Sequence, residues 1–322
     1  MDRSAARVVL VAMVLGCSAA LAAEPTGIVT ILEGEATLIR GAAKYAAAPG
    51  VRVQADDLIE TGKSTFARVE FPNQGIVDLG PSTRAQLNRP SLRRADHAGF
   101  YLLTGWLKIT AGEMATGAKA AVASPVFEAF NLAGKTVMHV EGDGAAVFAE
   151  DGALRLVDRR QRAGAPLSIK SGDFVALHAS EPVRTDRRPS KDFLAALPRP
   201  FEDTLPSLLA KYESHSVAPK PLGTFRYAEV EAWLDAEPMI RRGFVQEWMS
   251  KADEPAFRER LEVGLPRHPE WERVLYPERF EPKPHVAGSP SVSVDPARSG
   301  VVGSTPENPS ESPGPRGAAR GN

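Results

Sequence analysis

Residues 53–87 read VQADDLIETGKSTFARVEFPNQGIVDLGPSTRAQL, and their apolar side chains recur at every second position. In Phe66-Ala67-Arg68-Val69-Glu70-Phe71, Ala67, Val69 and Phe71 share one side and Arg68 and Glu70 the other, the pattern of a half-buried strand. Val77 and Leu79 answer it beyond the turn Pro72-Asn73-Gln74-Gly75, so the two runs are expected to form a hairpin.

Outward from this stretch the same period holds in GIVTILEGEATLIRG (27–41), FYLLTGWLKITAG (100–112) and GAPLSIKSGDFVAL (164–177). Strands are expected at 28–32, 36–40, 99–103, 106–110, 136–141 and 174–178. A second hairpin is expected where 145–149 and 153–157 flank Asp151-Gly152, a pair that accepts the positive φ values of a type I′ turn. Many short strands at near-regular spacing predict an all-β roll, sandwich or solenoid-like stack.

The pattern breaks in RRPSKDFLAALPRP (187–200), a charged, Pro-bounded stretch expected to be a linker carrying a short helical turn. Beyond it the period is helical. Residues 229–235 align Val230, Trp233 and Leu234, and 238–252 align Ile240, Phe244, Val245, Trp248 and Met249. Asp253 is expected to cap a third helix that aligns Phe257, Leu261 and Leu265, with Pro255 tolerated in its first turn. Trp271, Leu275, Tyr276 and Phe280 follow, and the stripe Trp233, Phe244, Trp248, Phe257 and Trp271 reads as core. From Pro282 onward Pro, Gly and Ser dominate, and such a tail cannot repay its ordering entropy. The expected fold class is therefore mainly β: an N-terminal all-β domain over 27–180, a linker over 181–200, a small α-helical module over 201–281 and a disordered tail over 282–322.

The chain has 322 residues, 43% of them hydrophobic and 25% charged, enough to bury a sizeable core. A formal net charge of -1 gives no bulk field to gather nucleic acid, so that partner class is set aside. Residues 1–23 read as a signal peptide: Arg3 and Arg7 supply a positive region, 8–15 an apolar core, and Ala20-Leu21-Ala22 a cleavage site. Val14-Leu15-Gly16-Cys17 also resembles a lipoprotein processing site, which makes Cys17 a candidate for lipidation. A soluble periplasmic product and a membrane-anchored one both stay open, the soluble one ahead. Cys17 is the one cysteine, so the remainder is expected to hold itself without disulfides, and no later stretch is apolar enough for a transmembrane helix.

In order and spacing, several segments resemble the FecR-type periplasmic domain over residues 27–179. They are Gly27-Ile28-Val29 with Gly34-Glu35-Ala36, then Asp57-Leu58-Ile59-Glu60-Thr61-Gly62, residues 66–71 and 75–79, and Pro81-Ser82-Thr83 leading to Leu87. Two positions depart from the family pattern. Asp56 stands where Gly is usual, and Ser124-Pro125-Val126 is not followed by the family's Gly-Val/Ile-Arg-Gly-Thr run. The founding members are inner-membrane sensors with a cytoplasmic anti-sigma segment and one transmembrane helix, parts this sequence is not expected to contain. The resemblance implies a FecR-like roll acting as a periplasmic interaction module of the cell envelope, with an envelope protein or glycan as partner. A structural or assembly protein anchored through Cys17, or a signalling accessory, is the alternative. The segment around His268-Pro269-Glu270-Trp271 also resembles an extension found on some leader-bearing FecR-domain proteins.

No enzyme is expected, and no catalytic, cofactor or metal site is assigned. Asp56 and Asp57 are adjacent and point apart on a turn, which suits structure better than a cation. The six histidines form no HExxH or Cys/His pairing, and His139 is expected to face solvent beside inward Met138 and Val140. Ser124 and Ser171 lie in turn contexts and not in a nucleophile elbow. Glu141-Gly142-Asp143-Gly144 lies between two strands and reads as a loop. Trp106 and Lys108, on the polar-facing phase of their strand, are the candidate contact surface, with burial of Trp106 on the second face of a two-sided sheet the favoured alternative. Arg93, Arg94, Arg159, Arg160 and Arg162 read as solvated loop charges.

Overall fold

Alternation in the front half of the chain becomes strands that join, through two long bent members, into a sheet folded over on itself as two layers. The computed structural model describes residues 25–72, 75–87, 99–111, 120–161, 164–179 and 181–281. In chain order the first strands are β1 (Pro25–Glu33), β2 (Ala36–Arg40), β3 (Ala43–Ala46), β4 (Arg52–Gln54), β5 (Leu58–Thr61), β6 (Phe66–Phe71), β7 (Gly75–Leu79), β8 (Arg84–Gln86) and β9 (Gly99–Ala111). They continue as β10 (Ala120–Ala123), β11 (Phe127–Glu141), β12 (Gly144–Ala149), β13 (Ala153–Asp158), β14 (Leu167–Lys170), β15 (Phe174–Leu177), β16 (Arg184–Asp186) and β17 (Lys220–Thr224). The first layer runs β4-β1-β6-β7-β9-β11-β12-β15-β16, antiparallel throughout. The second runs β17-β3-β2-β5-β8-β9-β10-β11-β13-β14, with β9 and β10 parallel.

Strands β9 and β11 belong to both layers because each turns a corner at a glycine, β9 at Gly105 and β11 at Gly134 (φ +73°). Gly105 has φ +93°, and a Cβ there would lie 2.5 Å from the Thr83 Cα. The two strands expected at 99–103 and 106–110 are therefore one strand with a bend. The second corner corrects the hairpin expected at Asp151-Gly152, because β12 pairs with β11 and β15 while β13 pairs with the other half of β11 and with β14. Gly152 (φ +80°) instead lets the chain cross between layers, its Cα so near β11 that a Cβ would sit 2.0 Å from the Ala133 carbonyl oxygen. The true hairpin is one turn earlier, where Gly142-Asp143 joins Glu141 to its partner Gly144. The expected hairpin of β6 and β7 is present, Val69 opposite Val77, and Asn73 and Gln74 of its turn lie outside the described residues.

Between the layers, Val29, Leu38, Ile59, Val69, Leu107, Phe127 and Val147 pack as one buried apolar core. The outward face of the first layer is charged, yet Arg68, Glu70, Asp78 and Lys108 are all at most 6% exposed. Burial of Arg68 and Glu70 corrects the half-solvated strand, and its cause is the chain that leaves β16. That chain forms α1 (Lys191–Ala196), capped by the Ser190 hydroxyl accepting from Phe193 N at 3.1 Å, then a 3₁₀ turn (Arg199–Phe201), then α2 (Leu209–Glu213). Where a linker was expected, Phe193 and Phe201 lie against Phe66, Trp106, Val137 and Phe174 as a strap. Arg68 donates to both Asp78 carboxylate oxygens at 2.6 and 2.9 Å and to the Leu205 carbonyl at 3.0 Å. Glu70 accepts from the Thr30 hydroxyl (2.7 Å), the Ser207 hydroxyl and Leu208 N (2.9 Å). Each buried charge thus has a partner, as burial requires.

The outward face of the second layer is covered by α3 (Tyr227–Leu234), α4 (Pro238–Glu247), α5 (Pro255–Gly264) and α6 (Glu272–Leu275). Ile39, Leu58 and Tyr101 of the sheet share one core with Val230, Trp233, Phe244, Trp248, Phe257, Leu261 and Trp271, so the aromatic stripe is buried as expected. Phe244 and Trp248 stack 4.3 Å apart, and the Trp233 indole N–H donates to Glu60 of β5 at 2.8 Å. Met249 and Phe280 are corrections, 51% and 44% exposed. The N-cap of α5 is Glu254 and not Asp253, because Pro255 takes the first helical position. Among the described residues no helix is long and apolar enough to cross a membrane. Residues 1–23 with Cys17, Arg93, Arg94, Arg162 and the tail 282–322 lie outside the described residues.

Candidate functional site

On the outward face of the first layer the strap stops short of one end of the sheet and leaves a cleft of about 660 Å³. Its floor comes from three central strands and α1: Trp106 of β9, His139 of β11, Phe174 of β15 and Phe193. The register Trp106 opposite His139 brings the two rings together, and they stack at 4.0 Å with 15° between planes. Phe193 leans on Trp106 at 5.3 Å and on Phe174 at 5.0 Å, so a single strap residue closes the aromatic wall. The rim is acidic. Glu141 and Asp143 come from the β11–β12 hairpin, Glu181 from just before β16, Asp186 from its last position, and Asp192 from the first turn of α1, against Arg184 as the one guanidinium in the lining. Burial lowers the His139 pKa below its usual 6.5, outweighing the upward pull of Glu141, so the imidazole on the floor is neutral at pH 7.

Trp106 and Lys108 do not form an exposed contact surface, and the favoured reading of Trp106 as buried holds. Trp106 is 7% exposed and reaches the surface at the cleft floor, which is the buried alternative with an opening. Lys108, 6% exposed, donates to the Phe201 carbonyl and pairs with Glu150 at 2.6 Å, and so helps to hold the strap. The polar-facing phase was right; the sequence had no sign that another segment lies across it. His139, expected in solvent, is half-buried by its stack on Trp106.

The remaining candidates are structural. Asp57 is paired with Arg40 through Nε and Nη2 at 2.8 and 2.6 Å and accepts from Gln54 N, which makes it the anchor of a turn. Asp56 has φ +65°, the left-handed conformation for which Gly is usual at that position. The Ser124 hydroxyl accepts from Val126 N and Phe127 N, and Ser171 lies in a turn over Glu150. Arg159 is a correction: it is a bidentate partner of Glu237 at the start of α4 and donates to the Ser124 carbonyl, clamping β13 to the helices. Arg160 pairs with Asp158 at 2.9 Å, and hydrogen bonds from Arg160 hold that carboxyl below its usual value. Among the described residues no group of three or more His, Cys, Asp or Glu has metal-binding geometry.

No family model matches the chain, and no curated protein does. Among solved structures it is similar to two crystal structures, at 2.50 and 1.65 Å resolution, of a Parabacteroides distasonis ATCC 8503 protein described as a candidate anti-sigma factor. The identities are 13% and 12%, the TM-score is 0.36 for both, and 43% of this chain is covered in each case. The chain spans 62% and 63% of the length of the chains in those two structures. Both are distant likenesses.

Proposed function

We propose that the protein is a non-catalytic binding module of the FecR type that works on the periplasmic side of the cell envelope, with the strap-side cleft as its contact site. The observation that carries this reading is the cleft itself, a recess whose floor ends on aromatic side chains and whose rim is ringed by charge, the form of a recognition site. The ordered motifs of residues 27–87 support the family reading, and the left-handed Asp56 keeps the backbone that the family's Gly would supply. The signal-like residues 1–23 support the address. A binding role is favoured over catalysis because the hydroxyl in the lining, Ser190, is occupied as the N-cap of α1 and has no imidazole as hydrogen-bond partner among the described residues.

The test is photo-crosslinking in the native host from a reactive amino acid at position 181, on the cleft rim. Capture of an envelope component from the periplasmic side is the expected result. An alkaline phosphatase fusion to the full chain that stays inactive, or crosslinks only to cytoplasmic proteins, overturns the reading. Fractionation of Cys17→Ser beside the wild type separates a soluble product from an anchored one.

A further inference from the structure

We propose that the cleft beside α1 takes a cationic side chain, lysine or arginine, carried on an extended segment of a partner polypeptide. The inference rests on the reading of this cleft as the contact site and adds the chemistry of what enters it.

Charge makes the first argument. The lining holds Glu141, Asp143, Glu181, Asp186 and Asp192 against Arg184, five carboxylates to one guanidinium, in a chain whose formal net charge is only -1. These acids come from four separate places in the chain, and none lies within ion-pair distance of a cation among the described residues, although Arg160 acts on Asp143 through space. Arg187, Arg188 and Lys191 are near in sequence and do not line the cleft. Asp192 also favours the N-terminus of α1, and that local role leaves its charge on the rim. The field at this spot therefore attracts cations and repels anionic glycans, phosphates and nucleic acid.

The floor makes the second. Trp106, Phe174 and Phe193 line the cleft beneath the acids with 4 to 7% of their surface exposed, and the parts of the rings that reach the cleft attract ammonium and guanidinium groups, most strongly where water is thinned out. The neutral His139 adds no opposing charge. The Trp106 indole N–H donates to no acceptor among the described residues and is not among their sealed polar atoms, so it keeps contact with water. A peptide carbonyl supplies such an acceptor and a bare amine does not. A volume of about 660 Å³ also exceeds one ammonium group and suits a short run of residues.

The test is an NMR titration of the full chain with N-acetyl-trilysine amide, N-acetyl-triglutamate amide and tetramethylammonium. The expected result is saturable shifts with trilysine at the Trp106 indole N–H and at the amides of residues 141–146 and 174–186, with no such shifts from triglutamate. The rim variant Asp143→Asn/Asp186→Asn removes two unit charges a few ångströms from the bound cation and should weaken trilysine about tenfold. Raising the salt should weaken it further. Absent cleft shifts, equal response to triglutamate, or undiminished binding by the rim variant overturns the proposal. Tetramethylammonium binding as tightly as trilysine overturns the polypeptide part. Should trilysine fail while the crosslinker at position 181 still captures an envelope component, this inference falls and the binding-module reading stands. Should trilysine bind as expected while no envelope component is captured, the cleft chemistry stands and the envelope role falls.

Discussion

Over the second layer, Ile39, Leu58 and Tyr101 meet four helices and their aromatic side chains, whereas over the first layer Arg68, Glu70 and Lys108 meet the backbone of a single strap. Both faces are buried, by different physics. The helical cover stabilises through apolar area, at roughly 1.5–3 kcal/mol for each large side chain removed from water. The strap is anchored by Phe193 and Phe201 and, between and beyond them, by charge-assisted hydrogen bonds to main-chain and hydroxyl groups, which cost much when broken and contribute little net while intact. A cover of the second kind can end in mid-sheet without exposing a wide apolar surface. The cleft lies on that side.

The largest expected effect tests the helical side. Trp233→Ala removes a side chain with no exposed surface together with its bond to Glu60, and should cost about 4 kcal/mol in urea unfolding. Loss of helix and sheet signals in a single transition would show that the cover and the sandwich fold as one unit; a separate early helical transition would break the comparison. On the strap side, Arg68→Met leaves the Asp78 carboxylate buried without its bidentate partner and should cost about 3 kcal/mol. Arg68→Met/Asp78→Leu should recover most of that, because an apolar pair needs no compensation.

Smaller effects sharpen the contrast. Phe193→Ala should cost about 2 kcal/mol, less than a sealed-core phenylalanine because the cleft admits water to the space it leaves. Hydrogen exchange should then show amides of residues 193–208 opening below the global unfolding energy while those of 230–261 do not. The smallest effect is on pH. Burial lowers the pKa of His139 and of fully buried His268 below 6.5, so the unfolded chain takes up protons that the folded chain refuses. Stability is therefore complete above about 6.5 and declines as pH falls through it. The urea midpoint should be lower at pH 5.5 than at pH 7.5, and His139→Gln should flatten part of that slope.

How much was legible depends on how local the cause was. Ala67, Val69 and Phe71 announced their core face because alternation is written in adjacent residues, and Trp233, Phe244 and Trp248 announced theirs through helical spacing. Asp151-Gly152 misled because a Gly with positive φ serves a hairpin and a layer crossing alike. What separates them is the approach of the Ala133 carbonyl, 18 to 19 positions earlier in the chain. The cleft was less legible still. Trp106 and Lys108 were singled out for their phase, but Phe174, Phe193, Glu181, Asp186 and Asp192 carry no shared spacing that marks them as one site.

The sequence alone determined the mainly β front half, the aromatic helical segment and the inward set of each strand, since period and side-chain type decide which residues leave water. Tertiary structure decided that residues 187–208 lie across a charged sheet face, that two glycines bend strands between layers, and that an acidic rim gathers over Trp106. Those outcomes depend on partners far apart in the chain, and such pairings are fixed only when the whole sandwich closes.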